Sequence, residues 1–358
     1  MIRATCLVLS ACLLAGCGGF AYYAQAVRGH LDLMSRRVPI GEVIADPQTP
    51  AAVRQRLEVA RQARQFAVEE LGLPDNGSYT RYVALERSAA VWNVFAAPRF
   101  SLEAKRWCFP VAGCVVYRGY FDEADARAYA AGLAEAGWDT WVGGATAYST
   151  LGRFEDPVLS TMMAWGEVQL AATLFHELAH QRLYVEDDSA FNEAFATVVE
   201  QEGLRRWLAA PGRQEEAAAW RRRQAFISEF QALLDATRGR LAELYASGRP
   251  PEAMAAGKQA AFEQLEADYR QLRARWNWSG YDRWFDAPLN NARLIPSATY
   301  RGLVPAFEAL LSASGGDLPV FFQRCRELAE LDQEVRGNRL RALAESAGKA
   351  VSSAGAPR

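Results

Sequence analysis

The stretch from Asp156 to Tyr184, DPVLSTMMAWGEVQLAATLFHELAHQRLY, constrains the fold more than any other part of the chain. Wound as a helix, it places Val158, Leu159, Met162, Met163, Trp165, Val168, Leu170, Leu174, Phe175, Leu178 and Leu183 around most of its circumference. A helix that is apolar on nearly all sides belongs inside a protein, with other elements packed around it. Asp156 and Pro157 supply a start signal for its first turn.

This helix carries two of the three histidines in the chain, His176 and His180, with Glu177 directly after the first. Positions i and i+4 share a helix face one turn apart, so the two rings can converge on one point. Glu177 projects about 100° around the axis, beside the pair. Two imidazoles and a carboxylate are unfavourable on a buried surface unless something satisfies them. Two converging imidazoles make half of a tetrahedral zinc site, and an adjacent carboxylate can take a proton from water there, which is the chemistry of H-E-x-x-H. The alternative is a chance pattern whose histidines make ordinary hydrogen bonds.

A third ligand is needed. His30 lies in AVRGHLDLM, which reads as a surface position of an amphipathic helix. The extended pattern H-E-x-x-H-x-x-G-x-x-H fails, because Leu183 and Glu186 stand where its glycine and third histidine belong. A carboxylate is therefore expected. VEDDSAFNEAFATVVEQEGLRRWL reads as a second helix with cap candidates Asp188 and Ser189. In an antiparallel hairpin turning near residues 186 and 187, His180 and Glu193 are equidistant from the turn, and Glu200 is about 10 Å deeper. Glu193 is the expected ligand, with a solvated helix glutamate as the alternative. Asp188, with Asn192 near it, is placed to cap the turn or to orient a ligand histidine.

HELAHQ followed by FNEAFA resembles the gluzincin arrangement, in which a second helix containing N-E supplies the carboxylate ligand. YSTLGRFEDPVLST, LFHELAHQRLYVEDDSAFNEAFA and LNNARLIPSATYRGLVPAF together resemble a family of bacterial putative aminopeptidase lipoproteins, over most of the mature chain. The resemblance implies a zinc-dependent peptidase acting on peptides or proteins. It implies one zinc per chain on His176, His180 and Glu193, with Glu177 as the catalytic base. The alternatives are a zinc endopeptidase and a catalytically inactive, metal-stabilised envelope scaffold, which would need zinc but not Glu177. The helix-to-helix spacing is shorter than in thermolysin-like enzymes, and the G-A-M-E-N segment of the large zinc aminopeptidases has no counterpart here.

Gluzincins also place a substrate-binding edge strand shortly before the zinc helix. GGATAYST occupies that position, making Ala145, Ala147 and Tyr148 substrate-binding candidates through main-chain pairing, or else members of a plain sheet strand. They commonly take an oxyanion donor from downstream, as tyrosine or histidine. No histidine follows His180, and Tyr300 stands in an irregular, Pro- and Asn-marked segment. Tyr300 is the candidate donor, with Asn291 orienting it or binding the substrate backbone; a core tyrosine is the alternative, and Tyr148 and Tyr184 come next.

The N-terminus, MIRATCLVLSACLLAGCGGF, has Arg3 ahead of an apolar run from Ala4 to Ala15 that is too short to span a bilayer. LLAGC resembles a bacterial lipobox. That implies a signal peptide over 1–16, lipid on Cys17 and stable anchoring by two or more acyl chains; an ordinary secretory signal is the alternative. Gly18 and Gly19 after the cysteine favour the outer membrane, with the body of the protein facing the periplasm. Cys108 and Cys114, with Pro110 and Gly113 between them, can close a loop disulfide in an oxidising compartment. Cys325 reads as a buried core residue.

A formal net charge of −2 offers nothing to nucleic acid. The expected fold is α+β and helix-rich: a small mixed sheet packed against the zinc-binding hairpin, followed by a mostly helical C-terminal part. Residues 17–75 hold N-terminal helices at 20–36 and 51–72. Residues 76–150 form a small α/β sheet region, with strands in YTRYVALER, AAVWNVFAAP, GCVVYRGY and WDTWVGGATAYST and a helix at 122–136. Residues 151–210 form the hairpin, 211–346 the helical part, and 347–358 a disordered tail.

Overall fold

The computed structural model describes residues 2–109 and 113–354, with side chains from 19 to 346 apart from 300 and 301. Helix α1 (Ile2–Ser35) leads through β1 (Val38–Pro39) and α2 (Ile40–Ala45) into α3 (Ala51–Glu69). Leu57, Ala60, Ala63 and Ala67 recur at helical spacing along α3 and are fully buried. Gly29 lets α1 approach Phe121 closely, since a Cβ there would overlap the Phe121 ring.

The strands β2 (Arg81–Val83), β3 (Val91–Pro98), β4 (Trp107–Phe109), β5 (Gly113–Val115) and β6 (Arg118–Tyr120) follow, then α4 (Glu123–Glu135), β7 (Trp138–Ala145) and β8 (Val158–Leu159). They form two three-stranded sheets, β1-β2-β8 and β6-β3-β7, and a two-stranded ribbon, β4-β5. The pairing of β2 with β8 is parallel, which makes the first sheet mixed. GCVVYRGY, expected as one strand, is two: β5 pairs with β4 and β6 pairs with β3, so the chain changes partner at Val116 and Tyr117.

The long apolar stretch divides where one helix was expected. Helix α5 (Glu167–Arg182) begins ten residues after Pro157. Residues before it form β8 and a 3-10 turn at Ser160–Met163, and Gly166, at φ 89°, swings the chain into the helix. Val158, Leu159, Met162 and Met163 are buried all the same. A short apolar run suits a buried strand as well as a buried helix, so pattern alone does not separate them. Asp156 is not a helix cap: its buried carboxylate accepts from Thr150 N (2.9 Å), Thr150 Oγ1 (2.6 Å), Ser149 Oγ (3.2 Å) and Gly152 N (3.3 Å), organising the loop below the site.

Helix α5 and α6 (Ser189–Trp207) pack as an antiparallel hairpin whose turn passes through Asp187 in a left-handed conformation, φ 64°. Phe175 of α5 and Phe191 and Phe195 of α6 are fully buried in the main core, each contributing about 1.5–3 kcal/mol by removal from water. Helices α7 (Gln214–Ala246) and α8 (Pro251–Trp276) share a second core around Phe226, Phe230, Leu265 and Tyr269. Helix α9 (Ile295–Arg301) packs Ile295 with Phe95 and Ala97 of β3, and α10 (Val304–Ala313), α11 (Leu318–Ala329) and α12 (Gln333–Ala354) return to the main core, where Phe307, Phe321 and Cys325 are buried. The fold is thus α+β and helix-rich, with a helical C-terminal part. Helix α12 runs to Ala354, inside the segment expected as a disordered tail, and 355–358 lie outside the described residues. Among the described residues no helix is long and apolar enough to cross a membrane.

Candidate metal centre and cleft

Helix α5 presents His176 and His180 on one face, and α6 brings Glu193 opposite them. One ligand atom from each lies within 4.8 Å of the other two. His176 Nε2 is 3.1 Å from His180 Nε2, and Glu193 Oε2 is 3.3 Å and 3.8 Å from these two nitrogens. Zinc bonds of about 2.0–2.2 Å put tetrahedral ligand atoms about 3.3–3.6 Å apart. The three observed edges bracket that span, so the donor set fits a tetrahedral ion with one position left open.

The other nitrogen of His176, Nδ1, is 3.1 Å from Glu200 Oε2. A carboxylate on the far nitrogen fixes the ring and its tautomer. Sequence reasoning placed Glu200 about 10 Å deeper than Glu193; an imidazole ring has two ends, and a residue two turns along α6 reaches the second. Asp188 and Asn192, the expected orienting residues, have no hydrogen bond to a histidine among the described residues. Asp188 caps α6 at Phe191 N (3.1 Å) and pairs with Arg336 Nε (2.9 Å). Asn192 accepts from Val185 N and donates to Val185 O, both at 2.7 Å, holding the turn.

Burial pushes Glu177 up to about 7; Glu193 and Asp156 add to the rise, while His176 and Ser149 oppose it. A carboxyl group titrating near neutrality can both accept and return a proton. Burial also lowers His180, to about 4. His176 goes the other way, well above its usual range: burial disfavours its charge, but hydrogen bonds and charge from Glu193 and Glu200 outweigh that. Glu193 lies below its usual value because the two histidines outweigh its own burial. Metal binding at such a set needs both imidazoles neutral and the carboxylate ionised, so it is coupled to proton release.

These groups line a cleft of about 390 Å³. Ala145, which ends the edge strand β7, lines it, as do Ala147 and Tyr148 just beyond. The other end of β7 is covered: Asn290 donates to Thr140 O (2.9 Å). The Tyr148 hydroxyl is 3.2 Å from Nδ1 of His30, which is half-buried and lies edge-on to Phe154. His30 is therefore part of the packing of α1 and not a plain surface residue. Asn291 does not reach the cleft. It is buried, its Nδ2 donates to the carbonyls of Pro98, Arg99 and Ser101, and its Oδ1 accepts from Tyr245 (2.9 Å). The backbone of Tyr300 is in α9; its side chain, like that of Cys17, lies outside the described residues.

Tyr117 also lines the cleft and was missed by sequence reasoning, since nothing in GCVVYRGY distinguishes it. Its phenol is pushed above the usual range by burial first, then by the charges of Glu193 and Glu177 and by Tyr184. The expected Cys108–Cys114 disulfide closes the β4-β5 ribbon just before it. That ribbon is clasped to the turn of the metal hairpin: Cys114 N donates to Asp187 Oδ1, and Arg106 donates to Asp187 O (3.0 Å). Gly113, at φ 67°, is required there, because a Cβ would strike Glu186 and Asp187.

No curated protein and no solved structure matches the chain. A family model described as "Putative aminopeptidase" matches residues 21–340. That match spans most of the chain and contains every residue of the cleft, so the protein belongs to this family of peptidase-like proteins.

Proposed function

We propose that the protein is a zinc-dependent peptidase of gluzincin type that hydrolyses peptide bonds with an activated water, an aminopeptidase by the description of its family. The observation that carries this reading is the convergence of His176, His180 and Glu193 beside Glu177 on one wall of the cleft. When bound, zinc supplies Lewis acidity that polarises a carbonyl and acidifies water. Glu177 takes the proton of the attacking water and returns it to the leaving amine. Glu200 keeps the His176 ring in place. The Ala145 end of β7 offers main-chain groups to an extended peptide. Purified protein should hold about one zinc per chain and cleave a peptide library in a chelator-sensitive, zinc-restorable way. Zinc-loaded protein that cleaves no member of the library would instead favour the scaffold.

Tyr117, a cleft residue whose phenol feels the charges of both Glu193 and Glu177, is the donor assigned to hydrogen-bond the carbonyl oxygen as it gains negative charge. Tyr117→Phe should lower turnover by about 10²–10³-fold while leaving zinc content and Tm near wild type. Normal turnover in Tyr117→Phe, together with a loss in Tyr300→Phe, would transfer this role to Tyr300.

The lipobox-like LLAGC and the Cys108–Cys114 bond support a lipid-anchored envelope protein, held through Cys17 at the outer membrane and facing the periplasm.

A further inference from the structure

We propose that α1 lies along the membrane surface with its outer face in the boundary between headgroups and acyl chains, so that the cleft opens at the level of the bilayer. This rests on the lipid-anchored reading of Cys17. Phe20, Tyr23, Val27 and Leu31 follow one another at spacings of three, four and four, which puts them on a single stripe. They are 80%, 45%, 57% and 60% exposed, and they make up four of the nine exposed large hydrophobic residues among those described.

The opposite face of the helix is already used. Tyr22 packs on Phe109 and Tyr120, with ring centroids 5.6 Å and 5.5 Å away, and Leu33 is buried. A helix packed on one side and apolar on the other calls for a cover. Its position indicates which. Cys17 precedes Phe20 by three residues, about 4.5 Å along the axis, so acyl chains on Cys17 would enter the bilayer where the stripe begins. Exposed Arg28 flanks the stripe and suits anionic headgroups. Among the described residues no helix is long and apolar enough to cross, and a one-sided apolar stripe suits a helix lying in the interface. Tyr22 and Ala26 line the cleft from the inner side of this helix, so only a helix diameter, about 10 Å, separates the cleft from lipid. The substrates this orientation selects are polypeptide segments lying on, or emerging from, the membrane.

The test uses the full chain reconstituted in vesicles of phosphatidylethanolamine and phosphatidylglycerol, carrying the dye NBD at Val27→Cys, Leu31→Cys or, as an exposed control on α11, Val320→Cys. Doxyl-labelled lipid should remove most of the emission at 27 and 31 and leave that at 320 unchanged. Emission at 27 and 31 that resists the quencher as it does at 320 overturns the proposal. So does a lipid-independent blue shift that grows with protein concentration, which would mean a second copy covers the face. Palmitate labelling of the same preparation reads the anchor. An unlabelled chain that is still quenched keeps α1 on the membrane and removes the lipid; one neither labelled nor quenched overturns both. None of these readouts depends on peptidase activity, so the peptidase reading stands or falls separately.

Discussion

Glu177→Gln should lower peptide turnover by at least about 10²-fold, the range expected when a positioned acid–base group is removed, while zinc content stays at the wild-type level. The amide has nearly the volume of the carboxyl group, so the buried environment that pushes Glu177 up to about 7 is kept intact. What disappears is the ability to take a proton. Glu177 is not among the three groups whose ligand atoms converge, so the metal should not notice the change. Turnover equal to wild type in the zinc-loaded variant would end the proposed mechanism. A metal-stabilised scaffold, by contrast, would show no turnover in either form.

The second large effect concerns the metal itself. His176→Ala combined with His180→Ala should abolish stoichiometric zinc binding, and Glu193→Ala should weaken it severely, because each removes a donor from a set of only three. Glu200→Gln should do less, about 10–100-fold in affinity, since Glu200 acts through the far nitrogen of His176. Zinc titration of the four proteins gives the order. Stoichiometric zinc in the double histidine variant would place the site elsewhere. A Glu200→Gln defect as large as that of Glu193→Ala would make Glu200 a ligand.

The convergence of His176, His180 and Glu193 was legible in the sequence because it depends on local geometry. The i, i+4 relation is imposed by the helical repeat, and the hairpin turn is signalled by Asp187 and Asp188 between two apolar helices. Glu193 then follows from counting residues away from that turn. The disulfide was legible for a similar reason, since Cys108 and Cys114 are neighbours along the chain. The beginning of α5 was not, because β8 is defined by pairing with β2, some 75 residues earlier in the chain, and no periodicity inside the stretch records that partner.

Asn291 and Tyr117 show the same division from the side of function. Both stand in segments whose local pattern is uninformative. Asn291, in an irregular segment, turned out to tie together carbonyls from residues 98–101, nearly two hundred positions away. Tyr117, in an ordinary-looking strand, lines the same cleft as His176, His180 and Glu193 beside a ribbon clasped to Asp187, 70 positions downstream. The sequence by itself determined the convergence of His176, His180 and Glu193 beside Glu177, and the helix-rich class, because helical repeat and chain proximity bring those groups together. The tertiary structure alone decided which tyrosines line their cleft, which carboxylate contacts His176 and which face of α1 is left bare, because each depends on contacts between segments whose sequences carry no record of one another.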